Sequence, residues 1–163
     1  MRPSLLIATV ALCLLSLATS RASAASSSSQ CTFEILVKTG GRKNAGTDAR
    51  VSLQVSGATG PAVTITNLES LGRMAAGHDY FERGNLDRYR CLSGEPCKLL
   101  IKSDGTGNKP GWYVEYVTVT QLRHGSVSSR QHKWAVDQWL ALDEAPNQLF
   151  ATRNGCGLAK ALP

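Results

Sequence analysis

The sequence predicts an all-β fold, an antiparallel sandwich of about eight short strands, and three observations carry that prediction. Segments of alternating apolar and polar residues recur from residue 31 onward. Turns rich in glycine, proline and asparagine separate them, and no stretch shows the apolar period of a long helix. Short strands without intervening helices pack as two antiparallel sheets and not as an α/β fold.

Successive side chains of a strand point to opposite faces, so alternation marks a strand with one side in a core. In 31–39, Phe33, Ile35 and Val37 oppose Thr32, Glu34 and Lys38. In 49–56, Ala49, Val51, Leu53 and Val55 oppose Arg50, Ser52, Gln54 and Ser56. Shorter cases are Val63 with Ile65, and Leu99 with Ile101 between Lys98 and Lys102. The run from Trp112 to Thr120 is apolar on nearly both faces and reads as a central strand. His132, Trp134 and Val136 make a further alternating set, and Leu68, Leu71 and Met74 in 67–76 read as a brief helical turn or an irregular crossing. Gly40-Gly41, Asn44-Ala45-Gly46, Gly57 to Pro61, Gly105-Thr106-Gly107 and Lys109-Pro110-Gly111 supply the turns.

The amino-terminal residues set the expected compartment. A short basic start, an apolar run from Leu5 to Leu17 and Ala22-Ser23-Ala24 form a secretory signal-peptide pattern over 1–24. The apolar run falls short of the ~20 residues needed to cross a bilayer. The expected organisation is then a lead-in over 25–30, a folded domain over 31–156 and a tail over 157–163, either held in the endoplasmic reticulum lumen or secreted. Loss of Arg2 and Arg21 with the signal leaves 16 basic against 12 acidic residues, a net charge of +4. That balance favours an anionic membrane surface or acidic glycan, while its spread along the chain forms no dense arm for nucleic acid.

Cys13 lies inside the signal, and Cys31, Cys91, Cys97 and Cys156 remain as an even set on an oxidising route. Two disulfides are expected, and three pairings are open. The turn-rich Ser93-Gly94-Glu95-Pro96 favours a local Cys91–Cys97 staple, with Cys31 and Cys156 tying the first strand to the last. The spacing lacks the close Cys-x-x-Cys pair of a zinc site.

Thr47-Asp48-Ala49, Asn67-Leu68, the block Gly77-His78-Asp79-Tyr80-Phe81-Glu82-Arg83-Gly84-Asn85-Leu86-Asp87, and Ser103-Asp104-Gly105-Thr106-Gly107 form a distinctive set. With Gly111-Trp112-Tyr113-Val114, Gln138-Trp139-Leu140-Ala141 and Arg153-Asn154-Gly155-Cys156, they resemble the plant stand-alone PLAT domain proteins, a stress-associated family. PLAT is the β-sandwich also found at the end of lipoxygenases and some lipases. The resemblance covers 31–156 and implies eight strands in two four-stranded sheets. It further implies attachment to membrane or protein surfaces, in some members with calcium held in loops at one end, and a link to abiotic stress and the endoplasmic reticulum. The plant relatives usually carry a further cysteine just before the strand that here begins near His132. This chain has Ser128-Ser129-Arg130 there, so the family's cysteine plan does not transfer directly.

Calcium takes six to eight hard oxygen ligands, and loops supply them as carboxylates and carbonyls. Asp48, Glu82 and Asp104 are the leading candidate ligands, and Asp79 shares the block of Glu82. The structural alternative is that Asp48 and Asp104 order their own turns and that Glu82, Arg83 and Asp87 form ion pairs. A lipid-contacting loop needs apolar tips beside cations. Leu71, Arg73 and Met74 offer one, and Lys109 with Trp112 another, although a tryptophan at a strand start commonly belongs to a core.

Catalysis finds little support. The histidines His78, His124 and His132 are scattered, and no Gly-x-Ser-x-Gly elbow frames a nucleophile. The expectation is a non-enzymatic module that binds membrane lipid or a lipid-derived ligand, calcium-modulated and without a required cofactor. The alternative is a protein-interaction module with a lumenal or extracellular partner.

Overall fold

A computed structural model describes residues 33–90, 96–121 and 131–157. Eight strands are present: β1 Phe33–Thr39, β2 Val51–Ser56, β3 Val63–Ile65, β4 Leu86–Arg90, β5 Lys98–Ser103, β6 Trp112–Gln121, β7 Gln131–Leu140 and β8 Phe150–Asn154. They form two four-stranded sheets in the orders β4-β1-β6-β7 and β3-β2-β5-β8, with every pairing antiparallel. The predicted sandwich is therefore the observed one, and β6 occupies the interior position its two-sided apolar pattern implied.

The inward positions are the ones that alternation selects. Phe33, Ile35 and Val37 of β1 face Val51, Leu53 and Val55 of β2 across a core that also takes Leu99, Ile101, Val117, Val119, Trp134 and Val136. Side chains buried at this level each contribute about 1.5–3 kcal/mol relative to exposure. The crossing at 67–76 contains a single 3-10 turn, Leu68–Leu71, whose Leu68 is fully buried. Between the sheets, Arg153 of β8 donates to the carbonyls of Ala135 and Val136 and, at 3.0 Å, to Gln138 Oε1 of β7. Its fork thus occupies backbone acceptors on an edge strand that would otherwise be open to pairing with another chain.

The cysteine expectation is corrected here. Cys97 pairs with Cys156, not with Cys91, and Cys156 does not reach back to Cys31. The reason is register: β5 runs antiparallel to β8 with Lys98 opposite Asn154, which brings the residues just outside both strands together. β1 and β8 lie in different sheets, so a link between first and last strand has no pairing to support it. Cys31 and Cys91 lie outside the described residues, as do the proposed signal segment and His124.

Antiparallel order also sorts the loops. Segments 40–50, 66–85, 104–111 and 141–149 all emerge at one end of the sandwich, and Cys97–Cys156 closes the other. Four of the five buried polar side chains among the described residues, Thr39, Thr47, Asp87 and Ser103, gather at this loop end.

Candidate functional site

At that end Asp48, Asp79 and Glu82 each bring a carboxylate oxygen within 4.8 Å of the other two. Asp48 comes from the β1–β2 loop, and Asp79 and Glu82 come from the segment before β4. The two loops lie flush because Gly46 has no side chain: a Cβ there would stand 2.9 Å from Glu82 Oε2 and 3.0 Å from the Arg83 amide. Gly107 does the same on the other side, with φ +84 and its missing Cβ 2.9 Å from the Asp48 carbonyl oxygen.

Hydrogen bonds then fix the backbone around these three residues. Thr47, buried, donates its hydroxyl to the Pro110 carbonyl at 3.2 Å and accepts the Ala49 amide at 3.1 Å, which clamps both sides of Asp48. The Thr47 amide donates to the Phe81 carbonyl at 3.3 Å. Asn85 Nδ2 donates to the Asp79 carbonyl at 2.8 Å, and the Asn85 amide donates to the Glu82 carbonyl at 2.9 Å.

Asp48 and Glu82 of the trio line a polar cleft whose walls also include Lys43, Asn44, Arg83 and Lys109. Among the described residues, the close pairs of basic and acidic side chains are Arg88–Glu34 and His78–Asp87, and neither uses the trio. Three carboxylates so close repel one another, and a divalent cation among them relieves that repulsion.

Asp104 is not in this group. Its Oδ1 accepts the amide of Thr106 at 3.0 Å, the hydroxyl of Thr106 at 2.8 Å and the amide of Arg50 at 3.1 Å. The Thr106 amide and hydroxyl, followed by the Arg50 amide and charge, hold its carboxyl below the usual carboxylate range. It therefore orders its own turn, as the structural alternative held. Asp79 takes the third place instead. In the sequence Asp79 stands three residues before Glu82 in the same block, and no local pattern marks it as the partner of Asp48.

The lipid-contact candidates separate in the same way. Trp112 is fully buried and its indole donates to Thr39, so the expectation that it is a surface tip is corrected. The first residue of β6 points inward, and Phe81 packs edge-on to its indole with ring centroids 5.1 Å apart. Lys109 and Arg73 are exposed, Met74 is 37% exposed, and Leu71 is half-buried against the core. Sequence reasoning missed Leu142, which is 69% exposed in the β7–β8 loop. Alternation from Leu140 would carry Leu142 into the core, but β7 ends at Leu140 and the chain turns away. Met74, Leu86, Leu142 and Phe150 are the exposed large apolar side chains among the described residues, and all four lie at the loop end.

A two-sheet sandwich with carboxylates, cations and exposed apolar side chains gathered at one end defines the class of β-sandwich docking modules. The chain belongs to the PLAT/LH2 domain family, whose model matches residues 33–141. The domain is accordingly a non-catalytic sandwich of the lipid- or membrane-binding kind. It is 41% identical over 131 residues to PLAT domain-containing protein 2 of Arabidopsis thaliana, covering 77% of this chain and 71% of that protein. PLAT domain-containing protein 3 of the same plant is 43% identical over 104 residues, covering 61% of this chain and all of the relative. Among solved structures, coral 8R-lipoxygenase aligns with a TM-score of 0.53 at 23% identity, over 74% of this chain and 16% of the enzyme. That likeness establishes the shared fold, and the chain corresponds to a small part of the lipoxygenase.

Proposed function

We propose that this protein is a calcium-modulated docking module that attaches through its loop end to an anionic membrane lipid or a lipid-derived anionic ligand. The observation that carries the reading is one of placement. The carboxylate trio, the cleft cations and all four exposed large apolar side chains of the described residues occupy the same end of the sandwich.

In this reading Asp48, Asp79 and Glu82 hold calcium, and loop carbonyls and waters complete its oxygen shell. The bound cation and Lys43, Arg83 and Lys109 face the phosphate of a headgroup. Met74 and Leu142 enter the headgroup region, where apolar insertion and charge attraction reinforce each other. The description of coral 8R-lipoxygenase as activated by calcium through a C2-like domain supports the same division of labour. A second lipoxygenase, described as calcium-dependent, has a TM-score of 0.50 and is 24% identical. The signal pattern over 1–24 supports a secretory route for the module, to the endoplasmic reticulum lumen or the cell exterior.

Vesicle sedimentation tests the proposal. Purified protein is mixed with vesicles of phosphatidylcholine alone or with 30% phosphatidylserine (a composition of roughly physiological charge density), each with and without calcium. Calcium-dependent pelleting with the anionic vesicles is expected. Failure to pellet with either composition under both conditions would remove the lipid reading and leave a protein partner as the alternative.

A further inference from the structure

Asp87 carries an unusual burden for a surface-docking domain: its carboxylate is fully buried in the sandwich, on the inward side of β4. Oδ1 lies 2.7 Å from His78 Nε2, and Oδ2 accepts the backbone amide of Phe81 at 2.8 Å. A buried carboxylate is a poor device for stability, since its desolvation cancels much of what its hydrogen bonds return. What it does hold is the conformation of Phe81. That residue has φ +61, in the left-handed region that a bulky L-residue avoids, and it lies between Asp79 and Glu82, directly before Glu82.

Phe81 is held from three sides. Its amide goes to Asp87, its carbonyl accepts the amide of Thr47, the neighbour of Asp48, and its buried ring packs on Trp112 and Tyr89. Backbone strain persists only where the surroundings over-determine it, and such strain concentrates at ligand clamps. Asp87 itself is sealed from solvent and cannot ligate an ion in the cleft. We infer that Asp87 is the positioning residue of the candidate calcium site: its buried carboxylate fixes the left-handed Phe81 turn that sets Asp79 and Glu82 opposite Asp48, with His78 holding that carboxylate in place. The inference rests on the calcium reading of the trio.

Calcium affinity, measured by titration calorimetry on the full mature chain well below its unfolding midpoint, tests it. Asp87→Leu removes the acceptor and is expected to weaken calcium binding by about tenfold or more, as for loss of a charge-assisted hydrogen bond. Asp87→Asn keeps an oxygen for the Phe81 amide and is expected to stay within about threefold of wild type, because a neutral hydrogen bond replaces a charged one. Val119→Ala, a core truncation on β6 away from the loops, lowers the unfolding midpoint and should leave affinity unchanged. Equal affinity in Asp87→Leu and Val119→Ala would overturn the positioning role. Should Asp87→Leu fail to fold, His78→Ala and His78→Gln decide: weaker binding restored by glutamine supports the role, and wild-type affinity in both overturns it. Wild-type protein that takes up no calcium would instead overturn the reading of the trio, and the inference with it.

Discussion

The indole Nε1 of Trp112 donates a hydrogen bond to Thr39 Oγ1 across 2.9 Å, and both residues are fully buried. This bond ties the first residue of β6 to the last of β1 beneath the polar loops. It turns a tryptophan flanked by lysine, proline and glycine from a membrane anchor into the floor of the site. Trp112→Phe leaves the Thr39 hydroxyl buried without its donor, and the expected loss is about 1–3 kcal/mol. Urea unfolding measures it, and pelleting of the folded variant with anionic vesicles should match wild type. A selective loss of pelleting at unchanged stability would return Trp112 to the contact surface.

Under the proposed reading, Leu142 and Met74 make the lipid contact in place of the buried Trp112. Burying a leucine side chain is worth about 1.5–3 kcal/mol, so Leu142→Asp should weaken vesicle association by about tenfold, a value consistent with ~1.4 kcal/mol. Stability should hardly change, since the residue is 69% exposed. Met74→Asp acts in the same direction. Wild-type pelleting in the double variant would place lipid contact elsewhere.

Asp48 and Asp104 should part company on two axes. Asp48→Asn and Glu82→Gln are each expected to abolish the rise in unfolding midpoint that calcium gives a protein binding it only when folded. Asp104→Ala should leave that rise intact. The carboxyl of Asp104 is held below its ordinary value of 3.8 by Thr106 and Arg50, so its contribution to stability is present above that value. It fades as pH falls through the lower folded value. Asp104→Ala is thus slightly destabilised at pH 7 and equal to wild type in strong acid. Thermal unfolding across pH with and without calcium reads both axes, and loss of the calcium response in Asp104→Ala would put that residue in the cation site.

Cys97 and Cys156 are separated by 59 residues, a loop whose closure is worth about 4 kcal/mol in the chain-entropy account. The double serine variant is expected to lose about 2–4 kcal/mol in denaturant unfolding. Its calcium affinity should persist wherever it remains folded, because the link closes the end opposite the trio. Peptide mapping without reduction should recover Cys97 joined to Cys156; a Cys91–Cys97 peptide would contradict the register of β5 and β8.

Six strands and the antiparallel sandwich were legible in the sequence, because alternation is a local consequence of the pleat and Phe33, Ile35, Val37 or Val51, Leu53, Val55 display it openly. β4 escaped because its inward residues are Asp87 and Tyr89 while its leucine, Leu86, points outward, reversing the hydropathy that marks a strand. β8 escaped because Ala151 is its one fully buried side chain. The formal net charge of +6 and the five cysteines of the full sequence were likewise matters of counting. Which carboxylates meet, which cysteines join and whether Trp112 faces lipid or core were settled by tertiary structure alone. Those outcomes depend on strand order and register, which bring together residues such as Asp48 and Glu82 or Cys97 and Cys156 across long stretches of chain, and no local pattern encodes that distance.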